Sequence, residues 1–409
     1  MKLSIDQIAN IESDILKQVR ARPGISRIDL SRKLQLAPST VGNYVGRLIT
    51  EGFLAESALA GSEAGRPPTA LRLDPDGGQF IGVDFEARNI MAMAVDFSDR
   101  PLRQAHKIIR ESDSVEQIIE KIAQAIVEVL PDNKSRFLAI GVGVPGFVDP
   151  NKGVAIHYKY LNNWKNVALA EPLAKRFGVP VYLENNVRSM ALAELWFGQG
   201  KGVEDFLCIG IRSGIGAGIV AGGQQQRGAE YRAGEIGRWR CPWPRRSAAR
   251  FFKAGNVVDV ELQEVASVRA IVEALERARS SKEKSLLTAQ TGPITFADVD
   301  RAARQRDRLT VQVIEFAAEI LGWAVADLAL VLNPSRIILA GPLTVLGDTL
   351  LSPLRARAEQ ILGATGAAVP SIVNSTMGEY SGALGAAALA VHEWKPARSK
   401  LTIQQQSAH

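Results

Sequence analysis

Cysteine is scarce: Cys208 and Cys241 are the only two in 409 residues, which excludes a disulfide framework. The four histidines that accompany them are scattered along the chain and do not readily supply a four-ligand structural zinc site, and no metal or other cofactor is expected. Long apolar runs are also missing. The most apolar stretch, Phe316 to Leu332, is interrupted by Glu319 and Asp327 and reads as a buried helix rather than a membrane span. The first residues, MKLSIDQIANIESD, carry acids and no apolar core, unlike a secretory leader, so a cytoplasmic location is expected. Neither sign of charge dominates. A net charge of +6 and a pI near 9.3 favour a polyanionic partner only mildly.

What is present is the composition of a globular chain with a filled core, nearly half of it hydrophobic. Its length implies two or three domains. Residues 61–69, GSEAGRPPT, form a Gly/Pro loop, and DPDGG at 74–78 is a linker candidate. From residue 80, strand-like runs such as FIGVDF, MAMAVDF, FLAIGVGVP, DFLCIGI and RIILAG alternate with helical periodicity, which indicates α/β architecture.

The first 75 residues read differently. Ile8, Ile11, Ile15 and Val19 stripe one helix that Pro23-Gly24 ends. Ser26 caps a second helix, IDLSRKL, and Pro38 opens a third. In the third, Val41, Val45, Leu48 and Ile49 form an apolar stripe. Ser39, Thr40, Asn43, Tyr44 and Arg47 are therefore expected to point outward, with the donors that base edges and phosphates accept. A plain three-helix bundle with a solvated face is the alternative. The segments Phe53–Ala58 and Thr69–Leu73 favour a winged helix-turn-helix, because they can pair as a hairpin. At its tip Gly65-Arg66-Pro67 presents an extended arginine suited to an A·T-rich minor groove. Ten Lys/Arg face eight acids in residues 1–75, a weak grip that calls for a dimer on a palindromic site.

The body holds FIGVDFEARNIMAMAVD at 80–96, AIGVGVPGFVDP at 139–150, ENNVRSMALAE at 184–194, RSGIGAGI at 212–219 and AGEIG at 233–237. In order and spacing these motifs resemble the ROK family (repressors, open reading frames and kinases), and RSMALAE resembles its repressor branch. The resemblance implies an α/β chain: a winged helix-turn-helix at 1–75, then a two-lobed actin/hexokinase-like (ribonuclease H-like) fold. Its first lobe would span 79–185, completed by 378–395, its second 186–377, with a disordered tail at 396–409. It also implies a homodimer or tetramer on double-stranded DNA, governed by a small sugar or sugar derivative.

Departures from the family pattern bear on chemistry. Asp84 is followed by Phe85-Glu86-Ala87-Arg88 instead of small residues that let backbone N–H groups approach phosphate. The family's Glu-Asn-Asp, whose Asp is the catalytic base, is here Glu184-Asn185-Asn186, and an amide is no base at neutral pH. The His that would bind zinc is Arg238. The loop after it, with Arg240, Arg245, Arg246 and Arg250 beside Trp239 and Trp243, is an effector contact or a repacked loop. The resemblance places effector contacts at Asn185, Asn186, Glu235, Arg238 and Gln263, with fewer acids and one more cation than the family has, which suits an anionic ligand. A non-catalytic regulator is expected, the alternatives being a sugar kinase with relaxed motifs, a vestigial cleft, or a ligand-independent regulator.

Overall fold

The computed structural model describes residues 5–58, 69–131, 136–241, 260–279, 285–288 and 291–396. Three helices open the chain: α1 (Ile5–Ala21), α2 (Arg27–Leu34) and α3 (Pro38–Thr50). Ser26 caps α2 by accepting from the Asp29 N–H, and Pro38 opens α3, as their sequence positions require. β1 (Leu54–Ala58) and β2 (Thr69–Leu73) pair antiparallel as the wing strands. The wing tip with Arg66 lies outside the described residues.

In the body, β3 (Gln79–Phe85), β4 (Asn89–Asp96) and β5 (Pro101–Ile108) form an antiparallel meander. Helix α4 (Val115–Val129), opened by a Ser114/Gln117 capping box, leads to β6 (Phe137–Val144), parallel to β3. A small sheet of β7 (Phe147–Asp149), β8 (Val154–His157) and β9 (Lys165–Ala168) follows, then α5 (Ala170–Phe177) and β10 (Val181–Asn185), parallel to β6. The first sheet thus runs β10-β6-β3-β4-β5. Helix α6 (Asn186–Phe197) crosses to the second lobe, where β11 (Phe206–Ile211), β12 (Ile215–Ala221) and β13 (Gln224–Gln226) repeat the meander. After the short pair β14 (Arg240–Cys241) and β15 (Val260–Glu261), β16 (Arg336–Ala340) lies parallel to β11 and β17 (Ser371–Asn374) parallel to β16. The second sheet, β17-β16-β11-β12-β13, is built on the plan of the first.

The edge strand β5 has no clear signal in the sequence, because its exposed, polar alternation lacks an apolar run. Helix Phe296–Arg304 is equally faint from composition and is fixed by a Thr295/Asp298 capping box. No helix among the described residues is long and apolar enough to cross a membrane.

The C-terminal helix, Ser381–Glu393, returns to the first sheet and packs on β3 and β6. It lies so close that a Cβ added at Gly82 would sit 1.9 Å from the Ala383 carbonyl oxygen, and one at Gly141 1.8 Å from that of Ala386. Only glycine permits that approach. Just beyond this helix, Trp394 joins the head to the body. Its ring meets Phe53 of the head at 5.3 Å and Phe80 of β3 at 5.7 Å, while Phe53 meets Phe97 at 5.1 Å. Arg20 of α1 pairs with Asp99 at 2.8 Å and donates to the Phe97 carbonyl at 3.0 Å. The DPDGG segment is a one-turn 3-10 helix, Pro75–Gly77, capped by Asp74, rather than a loose linker. Head and first lobe share one hydrophobic core.

Candidate functional site

On α3, Ser39 and Asn43 are exposed and Thr40 is half-buried. Tyr44 corrects the expected outward set: it is buried, because it falls three residues after Val41 and one before Val45 on the core stripe. Arg47 is largely committed within the head. Its Nη2 pairs at 2.9 Å with Glu12, a fully buried carboxylate of α1, and its guanidinium lies 4.8 Å from the centre of the Tyr44 ring. Arg27 links α2 to α3 and β1, its Nε donating to Glu56 at 2.8 Å and its Nη1 to the Gly42 carbonyl at 3.3 Å.

The body's candidate site is the cleft where β3 and β11 end facing each other. At its floor Arg212, just past β11, spans the lobes. Nη1 and Nη2 donate to the two oxygens of Asp84 at 3.1 and 2.7 Å, and Nε meets Glu86 at 3.0 Å. The other Glu86 oxygen accepts from the Ser213 N–H at 2.9 Å and from its hydroxyl at 2.5 Å. The Tyr158 hydroxyl shares a 2.6 Å hydrogen bond with that of Ser213. Burial raises the Asp84 carboxyl above its ordinary range against the opposing pull of Arg212, and burial likewise pushes the Tyr158 hydroxyl well up. A phosphate chain entering here would meet Glu86 where backbone N–H donors are needed. Glu86 is thus an acidic neighbour for the phosphates of any nucleoside triphosphate.

Asn186, Glu235, Arg238 and Gln263 line the wall of the same cavity, with Lys159 and Tyr160 near them. The β10–α6 junction, the turn after β13 and the residue after Leu262 position them. Asn185 lines the cavity too, but its side chain serves the fold. Its Oδ1 accepts from the Val187 and Arg188 N–H groups as the cap of α6, and its Nδ2 donates to the Gly146 carbonyl at 2.9 Å. Glu235 is raised by burial, with Arg188, Arg238 and Arg232 pulling the other way. Gln263 donates to Glu261 at 2.6 Å. Arg238, a cation with no lone pair to offer, cannot replace a zinc-binding histidine, and no metal-binding cluster occurs among the described residues. Arg245, Arg246, Arg250 and Trp243 lie outside the described residues.

The cavity therefore gathers all five effector residues read from the sequence and adds Glu86, Tyr158, Lys159, Arg212 and Ser213. Glu86 carries a sequence signal, as an acid where small residues belong. Arg212 carries none: its partner Asp84 is 128 residues away.

Comparison with known proteins agrees with this architecture. The ROK family matches residues 80–393, and a winged helix-turn-helix DNA-binding family matches residues 9–54. The xylose repressor of Caldicellulosiruptor bescii is 28% identical over 346 residues, 83% of this chain and 85% of that one. A solved ROK family transcriptional regulator, a homolog of the E. coli MLC protein, superposes with a TM-score of 0.77 at 24% identity, covering 95% of this chain and 97% of that one. A ROK family glucokinase from Streptomyces griseus, solved with glucose and AMPPNP, matches with a TM-score of 0.67 at 28% identity, covering 76% of this chain and 99% of that one. With the ROK model matching residues 80–393 and the winged helix-turn-helix model residues 9–54, the chain belongs to the ROK family as a DNA-binding transcriptional regulator, a winged helix-turn-helix joined to a sugar-kinase-like body.

Proposed function

We propose that this chain represses transcription from a palindromic operator as a homodimer or a dimer of dimers, and that a small sugar-like effector in the cleft changes its grip on DNA without phosphoryl transfer. One observation carries the reading: Asn186, Glu235, Arg238 and Gln263 line a single cavity whose floor is closed by the Arg212 ion pairs. The wall offers hydrogen-bonding groups to a small polar ligand, while the floor offers no phosphate cradle and Asn186 no general base. Since the head shares a core with the first lobe, a change in lobe spacing moves the two recognition helices of a dimer relative to each other.

On DNA, the reading assigns base-edge and phosphate contacts to Ser39, Thr40 and Asn43, and minor-groove insertion to Arg66. Arg47 holds α3 in place through Glu12. The test is operator binding by the full chain with and without a panel of sugars and sugar derivatives, run alongside an ATP turnover assay on the same panel. A panel member that shifts operator affinity with no turnover is the expected result. Turnover that Asn186→Ala abolishes would overturn the non-catalytic half. Operator affinity indifferent to every ligand would favour a ligand-independent regulator. Arg66→Ala should weaken binding and relax A·T preference, and unchanged binding would remove that role.

A further inference from the structure

Acidic and basic groups around the cavity are unequally committed. Both oxygens of Glu86 are taken, one by Ser213 and the other by Arg212. Glu261 accepts from Gln263. All three nitrogens of the Arg212 guanidinium are engaged with Asp84 and Glu86. Arg238 is the opposite case. Its side chain donates no hydrogen bond among the described residues, and its nearest carboxylate is Glu235, 4.0 Å away. Yet it is held in place: its guanidinium lies 4.8 Å from the centre of the Phe147 ring, which reaches across from the first lobe. Arg232 packs on the same ring at 4.8 Å but pairs with Glu230 at 3.6 Å, so Arg238 is the less committed of the two. Among the described residues Lys159 meets one carboxylate, Glu261 at 3.9 Å, and lies 5.1 Å from the centre of the Tyr160 ring. The Asn186 amide, 5% exposed, makes no side-chain hydrogen bond among the described residues.

The wall therefore presents donors with little to donate to. A guanidinium stacked on an aromatic ring with its N–H fork open is pre-organised for a planar or tetrahedral oxyanion. Glu235, with no side-chain hydrogen bond among the described residues, remains for a hydroxyl. Neutral sugars are poorly matched here, since a hydroxyl satisfies an arginine fork through one oxygen and leaves the charge unneutralised.

We propose that the effector is a polyhydroxylated oxyanion, a sugar acid or a sugar phosphate, whose charged end is bound by Arg238 with Lys159 beside it and whose hydroxyls meet Glu235 and Asn186. This rests on the cleft being the effector site. The specificity-determining residue is Arg238, which lines the cavity and is held against Phe147.

The test is calorimetric titration and thermal shift of the full chain with matched ligands: a neutral aldose, its aldonate, its uronate, its phosphate ester, and inorganic phosphate alone. The acids or the ester should bind and raise the melting temperature, the neutral aldose should not, and the aldonate and ester arms separate carboxylate from phosphate. Arg238→Gln should weaken binding of the preferred anion by roughly 10- to 100-fold, and Arg238→Lys should recover part of it. Arg238 is 45% exposed, so both variants should fold, which the unliganded melting temperature checks. A neutral aldose that binds as tightly as its acid, or an Arg238→Gln protein that binds the anion as wild type does, overturns this inference and leaves the cleft as the effector site. Inorganic phosphate equal to the best derivative overturns the polyhydroxyl part. Binding by no member of the panel overturns both.

Discussion

Arg212 and Arg238 stand on the same lobe and border the same cavity, and their guanidinium groups meet opposite fates. Arg212 is buried, and all three of its guanidinium nitrogens face two carboxylates of the other lobe. Arg238 is 45% exposed, rests on Phe147 and has one carboxylate at 4.0 Å. The head repeats the contrast on one helix, where Arg47 is tied to buried Glu12 while Asn43 is exposed. Residue type and proximity to a site thus do not separate a strut from a ligand contact. What separates them is whether the group's hydrogen-bonding capacity is already used inside the protein.

That contrast can be broken most directly at the floor. Arg212→Ala leaves Asp84 and Glu86 facing each other without a cation, and removing one partner of a buried pair costs about 3–5 kcal/mol. Urea unfolding should show a loss of this size, and a loss below about 1 kcal/mol would mean that Arg212 is not a strut. In the head, Arg47→Ala removes the cation that pairs with buried Glu12 and should destabilise the fold by less than Arg212→Ala does, because Arg47 is partly exposed. Asn43→Ala should leave the melting temperature unchanged and weaken operator binding. Equal effects of the two on stability would erase the distinction between them.

Smaller effects sharpen the comparison. Arg238→Gln should change unliganded stability by no more than about 0.5 kcal/mol, as for an exposed side chain without hydrogen bonds. Asn186→Asp restores the missing carboxylate but not the phosphate site, because Glu86 and Arg212 still close the floor. No ATP turnover should appear with any sugar, and measurable turnover would show that the floor opens. The smallest effect concerns pH. Burial raises Glu235, so its proton is taken up at a higher pH than by an ordinary glutamate. As pH falls through that range, one negative charge leaves the wall, and affinity for an anionic effector should rise. Glu235→Gln should flatten that dependence, and a wild-type profile that falls with acidification would have the wrong sign.

Much of the fold was legible because its cues are local. Ser26, Pro38 and the stripe of Val41, Val45 and Leu48 place the first three helices within a residue or two. Apolar runs mark β3, β4, β6, β11 and β16, which are buried throughout or nearly so. β5 was illegible because one of its faces meets solvent. The common plan of the two sheets was hidden as well, since strand order is a property of pairing and leaves no short-period repeat in the chain. At the site, all five effector positions converge on one cavity. Asn185 nevertheless serves as a helix cap, and Tyr44 turns inward, because helical periodicity defines a stripe only to within one neighbouring position.

By itself, the sequence determined the family, the winged head and the alternating α/β body, each carried by a residue type at a short, fixed spacing. Tertiary structure alone decided which polar groups are spent. Arg47 meets Glu12 across two helices, Arg212 meets Asp84 from 128 residues away, and Arg238 meets no comparable partner among the described residues. Hydrogen bonds and ion pairs form over about 3 Å of space whatever the separation along the chain, so their partners become known only once the chain is folded.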